Sequence, residues 1–297
     1  MGKFFFRLFV LLIIIIISLV IYLSYIGIET DKFDNLVKSK SNEVNRYVKL
    51  DFKKTKIYIN LKELNLAVKL QEPKILLRDS KINLSKLDLY LPFKSFFSQD
   101  FLLERAEIAF IKNDIKDLIK ISNIFFPKII NKKLNKVFAK GNLEGKFMIP
   151  FESNGNIGKN YEFYGKVSDA DINFTDEFKI KNLTAEIDYG KASQRNEFVT
   201  TIKKGSIFDV RLDKSSINLK REENKTGIKS VLYTNGKLTF PQIKKLSSLM
   251  GFKINAFQNI SGMVDLKTNL SFDLDKKFKV KNFLYSIDGH VPSLQID

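Results

Sequence analysis

The sequence predicts a mainly β protein with a few helices (α+β), in which one N-terminal transmembrane helix is followed by an elongated, curled antiparallel sheet forming a groove. Three observations predict it. Residues Leu8–Ile28, LFVLLIIIIISLVIYLSYIGI, carry no charge. Most of the remaining chain alternates apolar and polar residues, the period of half-buried strands. An amphipathic phrase also occurs twice: FKIKNLTAEID at Phe178–Asp188 returns as FKVKNFLYSID at Phe278–Asp288, with the same residue at six of eleven positions.

The uncharged run, as a helix, is about 31 Å long and matches a bilayer core. A cleaved signal peptide is the alternative, but the run exceeds a typical signal core and no A-x-A-like site precedes ETDKFDN. It therefore reads as an uncleaved signal anchor, with Tyr22 and Tyr25 as interfacial residues. Lys3 and Arg7 precede it, while Glu29, Asp31 and Asp34 follow. Lys38, Lys40, Arg46 and Lys49 reduce this asymmetry, yet long domains translocate largely regardless of charge. The expected placement is the inner membrane, single-pass, with the N-terminus cytoplasmic and the bulk of the chain periplasmic.

After this tip and anchor (1–28), residues 29–48 space Phe33, Leu36, Val37, Val44, Tyr47 and Val48 as an amphipathic helical segment. A first β-rich module with a helical insert is expected over 49–138, the insert being 114–138 broken by Pro127. A repeated β-groove segment is expected over 139–297, interrupted by a helix at 240–252 that opens with Pro241, and continuing beyond Asp297. At 297 residues the chain is long enough to bury a sizeable core.

The repeated phrase carries a specific spacing. In Phe178, Ile180, Leu183, Ala185 and Ile187 the apolar residues step by 2, 3, 2 and 2, as do Phe278, Val280, Phe283, Tyr285 and Ile287. Ile82, Leu84, Leu87, Leu89 and Leu91 repeat it, as do Ile59, Leu61, Leu64, Leu66 and Val68, and more loosely Phe101, Leu103, Ala106, Ile108 and Phe110. An odd step would turn every later side chain to the other face unless a bulge absorbs one residue. The polar pairs Lys181-Asn182, Lys281-Asn282, Ser85-Lys86 and Lys62-Glu63 mark where such bulges are expected. Val264, Leu266, Leu270, Phe272 and Leu274 form a straight version of the same one-sided strand.

A one-sided strand must bury its apolar face. Two solutions stand open: a second sheet or covering helices, or an open trough whose inner face meets acyl chains. On the trough reading the groove-lining residues are Ile82, Leu84, Leu87, Leu89, Phe178, Ile180, Leu183, Ile187, Val264, Leu266, Leu270, Phe272, Leu274, Phe278, Val280, Phe283 and Ile287.

Composition narrows the function. The net charge of +17 comes from 50 basic residues, only seven of them Arg, and the lysines are spread through apparent strands. That argues against nucleic acid as a partner, whereas anionic headgroups lie close to an anchored domain. With no Cys there are no disulfides and no thiol chemistry. His290, the single histidine, sits in IDGHVPS and reads as a turn residue. GNLEGKF (141–147) has three residues between its glycines and Phe147 where a phosphate loop has Ser or Thr. Gly141 and Gly145 instead read as turn or bulge markers around a strand. The carboxylates of DADINF (169–174) read as a solvated edge. No catalytic, metal or cofactor constellation emerges, and the expectation is a protein that is not an enzyme and holds no cofactor.

The order of parts resembles the N-terminal region of the AsmA-like envelope proteins, of AsmA, YhdP and TamB type. A basic tip and one membrane helix are followed by an amphipathic helix, KIYINLKELNLAVKLQEPKILL, and then KINLSKLDLYLPFKSFFSQDFLLERAEIAFIKND. KGNLEGKFMIPF (140–151) and the two repeated phrases resemble the strand pairs of the YhdP-type members. The resemblance implies an inner-membrane anchor, a long curled periplasmic sheet, and phospholipid movement with a role in outer-membrane homeostasis. It carries over no catalytic residue, only the groove-lining role at the positions named above. Bridging members are often much longer, and this chain stops at SLQID in a strand-like run. A part of a longer polypeptide, or a short member needing a partner, is expected. The function expected is lipid handling along the groove, with a phospholipid or other acyl-chain lipid, the inner membrane and envelope proteins as partners. The alternative is an assembly factor of the envelope with a closed β core.

Overall fold

The computed structural model describes residues 2–31, 34–35, 37–38, 48–77, 80–94, 102–122, 128–158, 160–173, 178–190, 197–208, 210–249, 260–276 and 279–296. Helix α1 spans Gly2–Tyr25, about 36 Å of helix. Lys3–Tyr25 is long and apolar enough to cross a membrane, with a mean hydropathy of 3.1 and none of its most apolar window buried. It stops before the uncharged run does. Gly27, at φ 71°, turns the chain, and Ile28 opens a strand instead of closing the helix. Pairing of Ile28–Thr30 with Thr55–Ile57 overrides helical propensity at the start of the expected 29–48 segment. Further on, Asp34, Asn35, Val37 and Lys38 are helical, and the other positions of 32–47 lie outside the described residues.

The chain divides into two compact units, Met1–Ile111 with Lys146–Tyr161, and Lys112–Gly145 with Glu162–Asp297. The expected boundary at 138/139 falls inside the second. In the first unit the strands are β1 (Ile28–Thr30), β2 (Val48–Asp51), β3 (Thr55–Asn60), β4 (Asn65–Leu70), β5 (Lys74–Leu77) and β6 (Ser80–Pro92), followed by β7 (Arg105–Asp114). Then come β8 (Phe138–Pro150), β9 (Glu162–Asn173), β10 (Lys179–Tyr189), β11 (Glu197–Ile207), β12 (Val210–Leu212), β13 (Ser215–Arg221), β14 (Lys225–Thr239), β15 (Ile260–Asp275) and β16 (Val280–Ile296). The sixteen strands form one large antiparallel sheet, ordered β1-β3-β4-β6-β7-β8-β9-β10-β11-β12-β14-β15-β16. Strands β2 and β5 branch from β6, and β13 pairs with both β11 and β14.

In the first unit, β3 and β4 form a hairpin in which Ile59 faces Leu66 and Asn60 faces Asn65. The expected bulge at Lys62-Glu63 is therefore a turn. Leu61 and Leu64 are 47% and 68% exposed there, Leu64 at φ 51°, so the 2, 3, 2, 2 spacing arose across a loop. In β6 the same spacing marks a true bulge: Leu84 faces Phe110 but Lys86 faces Ala109, so Ser85 is the extra residue. Ile82, Leu84 and Leu87 are buried as a result. Of the looser run, Ala106, Ile108 and Phe110 lie in β7, Leu103 precedes that strand, and Phe101 lies outside the described residues.

Among the described residues the second unit contains three further helices: α2 (Ile115–Ser122), α3 (Lys128–Val137) and α4 (Phe240–Leu249). Asp114 caps α2 by accepting the Lys116 N–H at 2.7 Å. The Gln242 side chain accepts the Thr239 N–H at 2.9 Å at the start of α4, where Pro241 loses no helical hydrogen bond. Ile115 and Ile119 of α2 pack with Val167, Ala170, Ile180, Leu183, Ala185, Ile202 and Leu212 as the main core of this unit, with Leu134 of α3 against it. Ile243 of α4 packs on a smaller cluster of Val210, Leu238 and Val264. Gly141 lies within β8, where a Cβ would come 2.7 Å from that of Ala170. His290 is a strand residue opposite Asp265, not part of a turn, because β16 continues past Gly289 to Ile296.

Both copies of the repeated phrase form bulged strands, apart from Phe278, which lies outside the described residues. In β10 the register shifts between Ile180 and Leu183. In β16 it shifts between Lys281 and Leu284. The extra residue in each is the asparagine, Asn182 at φ 50° and Asn282 at φ 53°. Asparagine tolerates this left-handed region better than other residues with a Cβ.

Candidate functional site: an apolar sheet face

Strand register in the second unit places two largely apolar rows side by side on one face. Phe163, Tyr189, Phe198, Leu219, Ile228 and Phe272 stand opposite one another on successive strands from β9 to β15. The Phe272 and Phe283 rings, 6.1 Å apart, carry this row onto β16. Beside it runs a second row, Gly165, Ile187, Thr200, Ile217, Ser230, Leu270 and Tyr285. Tyr189 stacks on Phe198 with ring centroids 4.2 Å apart.

Helices cover one end of this face. Ile180 and Leu183 are buried beneath α2, Val264 lies in the cluster under Ile243, and Leu266, Ile187 and Ile217 are partly buried at the margins of these clusters. Leu270, Phe272 and Leu274 are half-buried. On β16, Val280, Phe283 and Ile287 are 56%, 40% and 48% exposed. Phe178 is buried and packs edge-on against Phe208 at 5.4 Å. The expected groove residues of this unit thus divide into a helix-covered group and an open group toward the last strands. Those of the first unit, Ile82, Leu84 and Leu87, are buried, and Leu89 is half-buried.

The opposite face of the second unit is mixed: ion pairs there stand beside the exposed Tyr164, Tyr233 and Leu284. Glu186 bonds Lys203 at 3.0 Å, and Lys166 lies 3.7 Å from Glu144. Two rows there, Ser216–Val231–Asn269–Ser286 and Asn218–Lys229–Ser271–Leu284, line a shallow depression of about 510 Å³. Asp169 and Asp171 of the DADINF stretch face Lys112 at 3.5 Å and Lys140 at 3.3 Å, so their charges are used in ion pairs. Among the described residues no group of three or more His, Asp and Glu side chains is placed to hold a metal.

A charged cluster in the first unit was missed by the sequence reading. Arg105 donates two hydrogen bonds to Glu63, at 3.0 and 2.8 Å, and lies 4.0 Å from the Tyr90 ring centroid. Lys86 bridges Asp88 at 3.2 Å and Glu107 at 2.5 Å. Asp88 is only 3% exposed, and burial pushes its carboxyl above the usual range. The Arg105 bonds hold Glu63 below it. The visible signal was a Lys86 and an Asp88 two residues apart on one strand face, and an arginine in a chain poor in them.

The chain matches no protein-family model, no curated protein and no solved structure.

Proposed function

We propose that this is a membrane-anchored lipid-handling protein of the cell envelope, resembling the AsmA-like group. Its N-terminus lies in the cytoplasm and its sheet in the periplasm, where it contributes to phospholipid transfer and outer-membrane homeostasis. The observation that carries this reading is the pair of largely apolar rows crossing β9–β16, on which, among the described residues, no helix packs toward Phe272, Val280 and Phe283. Acyl chains laid there would leave water at about 0.8 kcal/mol per buried methylene. The process is passive, since chain burial needs no reacting group. The helix-covered end supports a division of labour: the α2 core holds the sheet, and the open rows meet lipid.

In-cell photo-crosslinking tests it, with a probe placed singly at Ile187, Phe272 or Val280 and at the exposed Lys181 as control. Lipid adducts are expected at the open positions Phe272 and Val280, fewer at the partly covered Ile187, and none at Lys181. Protein adducts alone at all three would favour the assembly-factor reading and end the lipid one.

A further inference from the structure

We infer that Arg221 is the headgroup contact for a phosphate-bearing lipid whose acyl chains lie on the apolar rows of the second unit, an inference that rests on the lipid-handling reading. Arg221 faces Thr226 across β13–β14, Thr226 faces Leu274, and Leu274 faces Val280. These positions follow Leu219, Ile228 and Phe272 by two residues along their strands, or precede them by two, so they share the apolar face and form its last row. Among the described residues of that row, Arg221 is the cation. It is exposed, and among the described residues no acidic group pairs with it.

Two of its lysine neighbours, Lys225 and Lys220, do not compete for the role. Lys225 is bound to Asp273 at 3.2 Å and lies 3.6 Å from Glu222, so those charges are mutually occupied. Lys220 stands opposite Glu197, on the other face of the sheet. Helix cover fixes the polarity of any bound amphiphile. Ile243 closes the face near Leu266, while at Leu274 it ends in the Arg221 row. From Leu266 to Leu274 the strand runs about 27 Å, long enough for an acyl chain aligned with β15. Its polar head then falls beside the guanidinium. A phosphate takes two parallel N–H bonds from the planar guanidinium fork, which a lysine ammonium does not reproduce.

The test uses the full chain reconstituted in vesicles, with a photo-crosslinking residue at Phe272 and two tail-labelled probes, a phosphatidic acid and the diacylglycerol with the same chains, and a tail-labelled fatty acid as a control ligand. Wild type is expected to capture the phosphatidic acid about tenfold better, the worth of one charge-assisted pair. Arg221→Gln should bring the two probes level, Arg221→Lys should recover part of the difference, and Lys220→Gln should change nothing. Equal capture of both probes by wild type, or equal losses in Arg221→Gln and Lys220→Gln, would overturn the headgroup role while leaving lipid binding in place. A tail-labelled fatty acid captured as well as the phosphatidic acid would overturn the phosphate assignment. Absence of adducts with every probe would overturn the lipid reading itself.

Discussion

Asn182 and Asn282, one hundred residues apart, share one left-handed backbone conformation, φ 50° and 53°, at the extra residue of equivalent bulges. Their surroundings differ: the Asn182 N–H donates to Asp171 at 3.0 Å, and the Asn282 side-chain amide donates to Asp273 at 2.8 Å. What is shared is the backbone requirement. Glycine should therefore be accepted at Asn182 within a few tenths of a kcal/mol, whereas Asn182→Val should cost about 1–2 kcal/mol. Urea unfolding of the detergent-solubilised full chain measures both. Equal losses for Gly and Val would show that the side chain matters and the conformation does not.

The same pair shows how much was legible. The 2, 3, 2, 2 spacing found bulges at Asn182, Asn282 and Ser85 because only an added residue keeps Ile180 with Leu183, or Leu84 with Leu87, on one face. It failed at Lys62-Glu63, where one residue pattern serves a turn between two strands as well as a bulge in one. Periodicity reports which face a residue takes, not what lies over that face. The cover given by Ile115 and Ile119 therefore could not be read from Ile180 or Leu183. The Arg105–Glu63 pairing was hidden for a different reason, since it joins residues 42 apart whose meeting depends on strand order.

Gly141 shows how tightly the second unit's core is closed. An added Cβ would lie 2.7 Å from the Ala170 Cβ and 2.9 Å from the Ile115 Cδ1, at a φ of 140° that side chains disfavour. Ala170 is fully buried and has nowhere to move. Gly141→Ala is expected to destabilise by about 1–3 kcal/mol from overpacking alone. Gly227→Ala, whose nearest contact would be an ordinary 3.6 Å, should stay within about 0.5 kcal/mol. A difference scan of the two by thermal unfolding checks the contrast, and similar melting points would contradict this packing.

The charged cluster of the first unit predicts two opposing pH effects. Glu63 is held below the ordinary carboxylate range by Arg105, so its contribution is present above the unfolded value and lost as pH falls through the lowered one. Asp88 is raised by burial, so the folded state binds the proton more tightly, and stability falls as pH climbs from the ordinary value through the raised one. Glu63→Gln should thus flatten the acid limb of the stability curve below about pH 4. Asp88→Asn should flatten the decline above it. Urea midpoints collected across the acid range separate the two, and a common direction of change in both variants would contradict these assignments.

Helix α1 makes the last prediction. Ile15 lies near the middle of α1 and is 55% exposed in a helix whose central window has no protein cover. With α1 across a membrane, an arginine there would meet the bilayer centre at about 2.5–3.5 kcal/mol on the insertion scale. Tyr25, the last residue of α1, is 81% exposed, and an arginine there can extend its head to the interface. Ile15→Arg should move a substantial share of the chain out of the carbonate-resistant membrane fraction, and Tyr25→Arg should not. An epitope placed before Lys3 distinguishes an anchor from a cleaved signal in the same experiment. Retention of the epitope on the membrane-bound chain is expected. Its loss from a chain that is otherwise exported would make α1 a leader, and the sheet would then act without a tether.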